Sequence, residues 1–109
     1  DLLAAGATLA ADAAELARSS DIVFLCVTGS PQVEASVTGA QGLLAGARAG
    51  LVIVDCSTAE PDSTARLREL SAARSVAYVD APLARTPAEA EAGRLIVMVG
   101  ATPEQFRQL

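Results

Sequence analysis

The stretch LVIVDCSTAEP, residues 51–61, decides the fold class of this chain. Its first four residues are apolar without polar alternation, Asp55 closes the run, and Pro61 stands where a helix begins. A continuous apolar run of this length is typical of a strand buried on both faces, as in parallel sheets covered by helices. Residues 21–27, 75–79 and 95–99 are runs of the same type, and a shorter strand is predicted at residues 7–9.

The segments between these runs begin with helix-start signals. Most of these signals combine an acidic or hydroxyl residue with a proline at the first helical position. They predict five helices. The first begins at Asp12 and ends near Ser19, the second begins with Ser30 as its N-cap, and the third runs from Glu60 to about Ala73. The fourth begins at the capping box Thr86–Glu89 and ends at Gly93, and the fifth begins at Thr102. Strands that alternate with helices through short turns predict a doubly wound α/β fold with a mostly parallel sheet.

The composition predicts one small domain and excludes some partners. The 109 residues are 51% hydrophobic and carry a net charge of −5. No cluster of arginines marks a nucleic-acid surface, so no nucleic-acid partner is expected. No apolar run approaches the roughly 20 residues that span a bilayer, so no membrane partner is expected either. The first residues also lack the basic region of a signal peptide.

Two residue types with central catalytic roles are missing. The chain has no His and no Lys, and all eight of its cations are Arg. A Ser-His-Asp triad, a His-ligated metal and a lysine general acid are therefore excluded within these residues, and neither a catalytic residue nor a metal site is predicted. Cys26 and Cys56 each stand alone at the end of an apolar run. They are predicted to be buried thiols of a protein in the reducing cytoplasm.

The ligand site is predicted at the carboxyl ends of the strands, where open α/β sheets bind their ligands. Those ends are residues 27–30, 55–58 and 80–86, and all three are rich in small and hydroxyl side chains. Each also precedes a helix start, where free backbone N–H groups attract anions. The three loops are therefore expected to converge along one rim of the sheet.

Three motifs in register carry a family resemblance. They are DCSTAEP at residues 55–61, DAPL at 80–83 with AGRL at 92–95, and MVG at 98–100. They resemble the Asp-x-Ser-Thr-x-x-Pro, Asp-Ala-Pro-Val…Gly-Thr-Leu and Met-Val-Gly-Gly segments of the β-hydroxyacid dehydrogenase family, which includes 3-hydroxyisobutyrate dehydrogenase. The resemblance extends over nearly the whole chain. It implies a Rossmann-type domain whose first strand and Gly-rich loop are missing here, so the sheet is expected to be incomplete.

The resemblance also implies site residues. Val27 and Thr28 occupy the family's Leu-Pro turn, and the resemblance assigns them, with Gln32 and Thr58, to the NAD or NADP site. Considered without the resemblance, Val27 is a core residue, Gln32 a solvated helix residue and Thr58, like Ser57, a helix cap.

The substrate site that the resemblance implies is the segment Ala84, Arg85 and Thr86. Most of the family has Ser-Gly-Gly there, and a minority branch that includes sulfolactaldehyde reductase has Gly-Arg-Thr. A guanidinium can hold a carboxylate, sulfonate or phosphate through two parallel hydrogen bonds. Ala84 in place of Gly is expected to narrow the backbone angles allowed at that position. The alternative is an exposed arginine beside a helix cap.

Residues 1–109 are thus expected to form a partial dinucleotide-binding domain. The family's helical C-terminal domain, with its catalytic lysine, is not part of the sequence, so these residues alone are expected to be inactive. The function implied is hydride transfer between NAD(P) and a short 3-hydroxy acid or semialdehyde with an anionic tail, in a homo-oligomer formed through that further domain. Two alternatives stay open: an enzyme of the 6-phosphogluconate dehydrogenase type, and a nucleotide-binding module without catalysis.

Overall fold

Three parallel strands form the central sheet of the computed structural model, which describes residues 1–109. The strands are β1 (Ile22–Leu25), β2 (Val52–Asp55) and β3 (Ala77–Asp80), in the spatial order β1-β2-β3. The register sets Leu25 opposite Asp55, and Asp55 opposite Asp80. The predicted α/β class and the parallel sheet are therefore confirmed.

Six helices complete the chain. They are α1 (Ala13–Arg18), α2 (Ser30–Thr38), α3 (Leu43–Gly46), α4 (Pro61–Ala72), α5 (Pro87–Glu91) and α6 (Pro103–Gln108). None of them is long and apolar enough to cross a membrane. The two helices that follow β1 and β2 begin just beyond the strand ends, so both loops lie at the carboxyl edge of the sheet.

The main core lies between one face of the sheet and the helices α1, α2, α3 and α4. Its buried residues are Ala17, Val23, Val33, Val37, Leu43, Leu44, Leu51, Ile53, Leu67, Val76 and Tyr78. On the opposite face, Val54 and Val79 form part of a smaller buried cluster. The prediction of burial on both faces is correct for β2, in which all four residues are buried. It is wrong for β1, where Phe24 is 69% exposed because β1 is an edge strand and no element covers that side chain.

The fourth apolar run does not join the parallel sheet. It contributes β5 (Ile96–Val97), which pairs antiparallel with β4 (Leu83–Ala84) in a separate two-stranded sheet. Just after this run the chain returns to the end of β3, where the Gly100 N–H donates to the Asp80 carbonyl oxygen at 2.7 Å. The strand predicted at residues 7–9 is absent, and Leu9 is 78% exposed.

The predicted helix caps are correct at some helices and wrong at others. Asp12 caps α1, and Thr102 forms a capping box with Gln105 at α6. Thr86 is the N-cap residue of α5, but its side chain makes no cap hydrogen bond. Gly93 adopts a φ of 66° just after α5, which is the left-handed conformation of a glycine that ends a helix.

Ser30 is not the N-cap that the sequence predicts. Gly29 occupies that position and Ser30 is the first residue of α2. The Ser30 hydroxyl instead accepts a hydrogen bond from the main-chain N–H of Glu60, at 2.8 Å. A contact between loops has therefore replaced the local cap.

Candidate functional site

A buried carboxylate organises the carboxyl edge of the sheet. Asp55 is fully buried at the end of β2. One of its oxygens, Oδ2, accepts a hydrogen bond from the Tyr78 hydroxyl at 2.6 Å, and the other, Oδ1, accepts from the Ser57 main-chain N–H at 2.9 Å. Burial, followed by this bond, raises the pKa of Tyr78, so its hydroxyl stays a donor at neutral pH. Asp55 thereby fixes the start of the loop that follows β2.

The Ser57 hydroxyl ties that loop to the one after β1. Between β1 and β2 the backbone ladder runs as far as the Cys56 N–H, which donates to the Leu25 carbonyl oxygen at 2.7 Å. The next donor along β1, the Val27 N–H, bonds to the Ser57 Oγ at 2.9 Å. The alternative that Ser57 is a helix cap is therefore wrong, because its hydroxyl serves the neighbouring loop.

The four residues assigned to the cofactor lie in these two loops or at the start of α2. Val27 is half-buried, whereas Thr28, Gln32 and Thr58 are exposed. The Gln32 side chain reaches back over Gly29, since a Cβ placed on Gly29 would lie 3.8 Å from its Oε1. The structure therefore brings Val27 and Ser57 together, with Thr28 and Thr58 as their chain neighbours.

The three residues assigned to the substrate lie on a different segment. Ala84 is half-buried, and Arg85 and Thr86 are exposed. Arg85 makes one ion pair, from Nη1 to the Glu89 Oε2 at 3.6 Å. No hydrogen bond or ion pair joins it to the two loops, and none of the four surface clefts is lined by an assigned residue.

The backbone at Arg85 is unusual. Its φ is 91°, a value that glycine adopts readily and other residues rarely. The strained backbone conformation is thus that of Arg85, the residue that follows Ala84. Arg85 stands where most of the resembling family has the first of two glycines, and holding a side chain there costs roughly 1–3 kcal/mol.

Sequence reasoning missed two residues beside Arg85. The Glu89 carboxylate also binds Arg94, from Nε to Oε2 at 2.7 Å and from Nη2 to Oε1 at 3.3 Å. Glu89 was assigned only to a capping box, and its spacing of four from Arg85 is the signal that could have found the pair. Since Arg94 takes the shorter contacts, Arg85 is held weakly and keeps its guanidinium available.

The structure contradicts the prediction that both thiols are buried. Cys26 is exposed and Cys56 is half-buried, and both are free. Cys26 follows the edge strand on the side of Phe24, which no element covers. Burial, then the charges of Cys26 and Asp55, raise the pKa of Cys56.

Asp80 gives the domain a pH dependence that can be measured. Burial and the charge of Asp55 raise the pKa of Asp80 above its usual 3.8, against a smaller opposing effect of Arg68. A carboxyl group whose pKa is raised on folding favours the fold at low pH and opposes it once ionised. Asp80→Asn is therefore expected to raise the Tm at pH 7, with the gain shrinking to nothing below pH 3.8, where the carboxyl is protonated in both states. Thermal unfolding from pH 3 to 8 checks this, and a gain that is constant with pH would contradict it.

Comparison with known proteins identifies relatives along the whole chain. A family model described as the NAD binding domain of 6-phosphogluconate dehydrogenase matches residues 1–109. The 2-(hydroxymethyl)glutarate dehydrogenase of Eubacterium barkeri is 36% identical over 108 residues, which are 99% of this chain and 36% of that protein. The 3-sulfolactaldehyde reductase of Escherichia coli (strain K12) is 30% identical over 103 residues, 94% of this chain and 35% of that protein.

A solved structure shows the same fold. The structure of Psf3 in complex with NADP+ and 2-OPP matches with a TM-score of 0.91 and 31% identity, over 99% of this chain and 38% of that chain. The chain thus spans about a third of the length of the proteins that it matches.

Proposed function

Because this chain belongs to the NAD-binding domain family of 6-phosphogluconate dehydrogenase and the 3-hydroxyisobutyrate dehydrogenase-like enzymes, we propose that it is the cofactor domain of a hydroxyacid dehydrogenase. The enzyme would transfer a hydride between NAD(P) and a short 3-hydroxy acid or semialdehyde with a carboxylate or sulfonate tail. Its relatives include the enzymes named for 2-(hydroxymethyl)glutarate and for 3-sulfolactaldehyde, and both names denote anionic substrates.

The tied loops support the cofactor assignment. Val27, Thr28 and Thr58 stand at two adjacent strand ends, and Gln32 lies on α2, whose N-terminus has no side-chain cap. Uncapped main-chain N–H groups beside small and hydroxyl side chains suit the polar groups of a dinucleotide. The nicotinamide, when bound, supplies the hydride chemistry, and these residues orient it.

The observation that carries the substrate class is Arg85 in its strained conformation. A chain gains nothing in stability from an arginine at φ 91° that makes one ion pair of 3.6 Å. The strain is understandable if the guanidinium binds an anion, with the Thr86 hydroxyl beside it. The tail of the substrate would then compete with Glu89 for Arg85.

Two substitutions at one position separate strain from binding. Both Arg85→Ala and Arg85→Gly, made in the full-length enzyme, are expected to raise the KM for the anionic substrate about tenfold to a hundredfold, because a charge-assisted contact is lost. Only Arg85→Gly should also stabilise the domain, by about 1 kcal/mol, because only glycine relieves the backbone strain. Steady-state kinetics and thermal unfolding measure the two effects. An unchanged KM in both variants would remove Arg85 from the substrate site.

A 6-phosphogluconate dehydrogenase-type activity is the second candidate, since the matching family model is described by that enzyme. It shares the need for a cation near the substrate. Reduction rates with short semialdehydes, and oxidation rates with short hydroxy acids and phosphorylated sugar acids, each with NAD and with NADP, distinguish the two. Turnover of only the phosphorylated acid would favour the second candidate, and no turnover at all would favour a nucleotide-binding module without catalysis.

The proposal includes parts of the enzyme beyond these residues. The family resemblance implies that the proton donor or acceptor would be a lysine of a helical domain outside residues 1–109, which themselves contain neither Lys nor His. That domain would also form the homo-oligomer. The cytoplasmic location predicted from the sequence stays a prediction.

A further inference from the structure

The turn that ends α5 brings Arg94 next to Glu89. Just after the helix the chain passes through Gly93, whose φ is 66°. The Arg94 N–H donates to the Glu89 carbonyl oxygen at 2.8 Å. The Gly93 N–H donates to the Ala90 carbonyl oxygen at 3.0 Å. These two hydrogen bonds form a Schellman motif, a common way for a helix to end. The backbone alone therefore holds Arg94 beside Glu89.

The Arg94 side chain adds two more contacts to the same residue. Its Nε donates to the Glu89 Oε2 at 2.7 Å, and its Nη2 donates to the Oε1 at 3.3 Å, so one guanidinium spans both carboxylate oxygens. Two parallel hydrogen bonds are the strong geometry for an arginine and a carboxylate. The Arg85 Nη1 comes only within 3.6 Å of the Oε2, which is beyond hydrogen-bond distance. Glu89 is therefore bound to Arg94 and only attracted by Arg85.

The shortness of α5 explains why the carboxylate is available to Arg94. The helix has five residues, so Glu89 is the third residue from either end. A glutamate in the third position of a helix can bond back to the main-chain N–H of the N-cap residue. In this helix the hydrogen bonds of the Glu89 carboxylate go to Arg94 instead. The carboxylate thus serves the end of the helix and not its beginning.

We propose that Arg94 is a positioning residue of the substrate site, which holds the Glu89 carboxylate and so leaves the Arg85 guanidinium free for the anionic tail of the substrate. This inference rests on the proposed function, in which Arg85 binds that tail. The three side chains carry two positive charges and one negative charge, so one positive charge remains for the tail. Without Arg94, Glu89 would bond directly to Arg85, since the two are four residues apart and already in contact.

Steady-state kinetics of the full-length enzyme test the role of Arg94. The probes are 3-sulfolactaldehyde and 2-hydroxy-3-oxopropionate, which carry a sulfonate and a carboxylate, and glyceraldehyde, which carries neither. Arg94→Ala is expected to raise the KM for the anionic aldehydes about fivefold, because the substrate must then displace one exposed ion pair. The kcat, the KM for the dinucleotide and the kcat/KM for glyceraldehyde should not change, since Arg94 touches neither the cofactor nor the reacting atoms.

Two double variants of equal charge separate positioning from a general loss of positive charge. Arg94→Ala with Glu89→Gln removes the competing carboxylate, so the KM should return to within about twofold of the wild-type value. Arg94→Ala with Glu91→Gln has the same net charge but keeps Glu89, so its KM should stay raised. Glu91 suits this control because it lies on the same helix, is exposed and makes no ion pair. Thermal unfolding checks that every variant is folded.

An unchanged KM in Arg94→Ala overturns the positioning role, and so does a raised KM that both double variants restore equally or that Glu89→Gln fails to restore. Arg85→Ala is measured in the same series to keep the two proposals apart. If only Arg85→Ala raises the KM, the proposed substrate contact stands and this inference fails. If neither single variant changes the KM, or the enzyme reduces neither anionic aldehyde, the proposed substrate class fails and the inference fails with it.

Discussion

Gly46→Ala is expected to destabilise the domain by about 3 kcal/mol, at the upper end of the range for overpacking, and to lower the Tm by roughly 12 °C or more. The last residue of α3 touches the backbone of α1: a Cβ on Gly46 would lie 2.6 Å from the carbonyl carbon of Ala14. The clash is with main chain, so no side-chain rotation can relieve it. The Ala14 N–H is also fixed, because it donates to the Gln41 carbonyl oxygen at 3.0 Å.

Gly29→Ala is the matched control for this prediction. Its added Cβ would meet only the flexible end of Gln32, at 3.8 Å, and the backbone at Gly29 is extended. A change within about 0.5 kcal/mol is expected there. Thermal unfolding followed by circular dichroism measures both variants. If Gly46→Ala unfolds at the same temperature as Gly29→Ala, the close approach of α1 and α3 is wrong.

Tyr78→Phe is expected to cost about 2–3 kcal/mol of folding stability. The substitution keeps the ring in the core but removes the donor to the Asp55 Oδ2, at 2.6 Å. The Asp55 Oδ2 is then buried without this hydrogen bond, and the loss lowers the folding stability more than the loss of an exposed hydrogen bond would. The free energy of unfolding from urea titration at pH 7 gives the magnitude.

Asp80 provides the comparison within the same sheet. Asp55→Asn should also destabilise the domain, and combining it with Tyr78→Phe should cost less than the sum of the two, because both remove one interaction. Asp80 pairs with Asp55 in the strand register but has no hydrogen bond to Tyr78. The Asp80→Asn and Tyr78→Phe pair is the control, and its effects on the free energy of unfolding should add. If the effects of Asp55→Asn and Tyr78→Phe add as well, the buried bond between Asp55 and Tyr78 is absent.

The sequence predicts the parallel strands correctly because their signal is local. β2 is a run of apolar residues, and all of it is buried, as such a run predicts. The run at residues 95–99 looks the same but pairs antiparallel with β4, because hydrophobicity predicts a strand and not its partner. Exposure of Phe24 and Cys26 depends likewise on what covers an edge strand, which neighbouring residues do not determine.

The candidate site was predictable in outline. Strand ends in one parallel sheet meet at one edge, so the proximity of Val27 to residues 57–58 follows from the topology, and the bond to Ser57 is its direct expression. The Tyr78–Asp55 bond joins residues 23 positions apart on adjacent strands, and only the register brings them together. The positive φ at Arg85 could not be predicted, because in a sequence only a glycine signals such a backbone conformation, and this position is an arginine. The roles of the assigned residues stay predictions.

The two serine hydroxyls that cross between the loops after β1 and β2 have a consequence for protein engineering. The Ser57 hydroxyl accepts a hydrogen bond from the Val27 N–H, and the Ser30 hydroxyl accepts one from the Glu60 N–H, so each loop supplies an acceptor for the backbone of the other. A graft that transplants only residues 27–32 from a relative would bring in one side of this pair of reciprocal hydrogen bonds without the other. Residues 57–60 should therefore be exchanged together with residues 27–32.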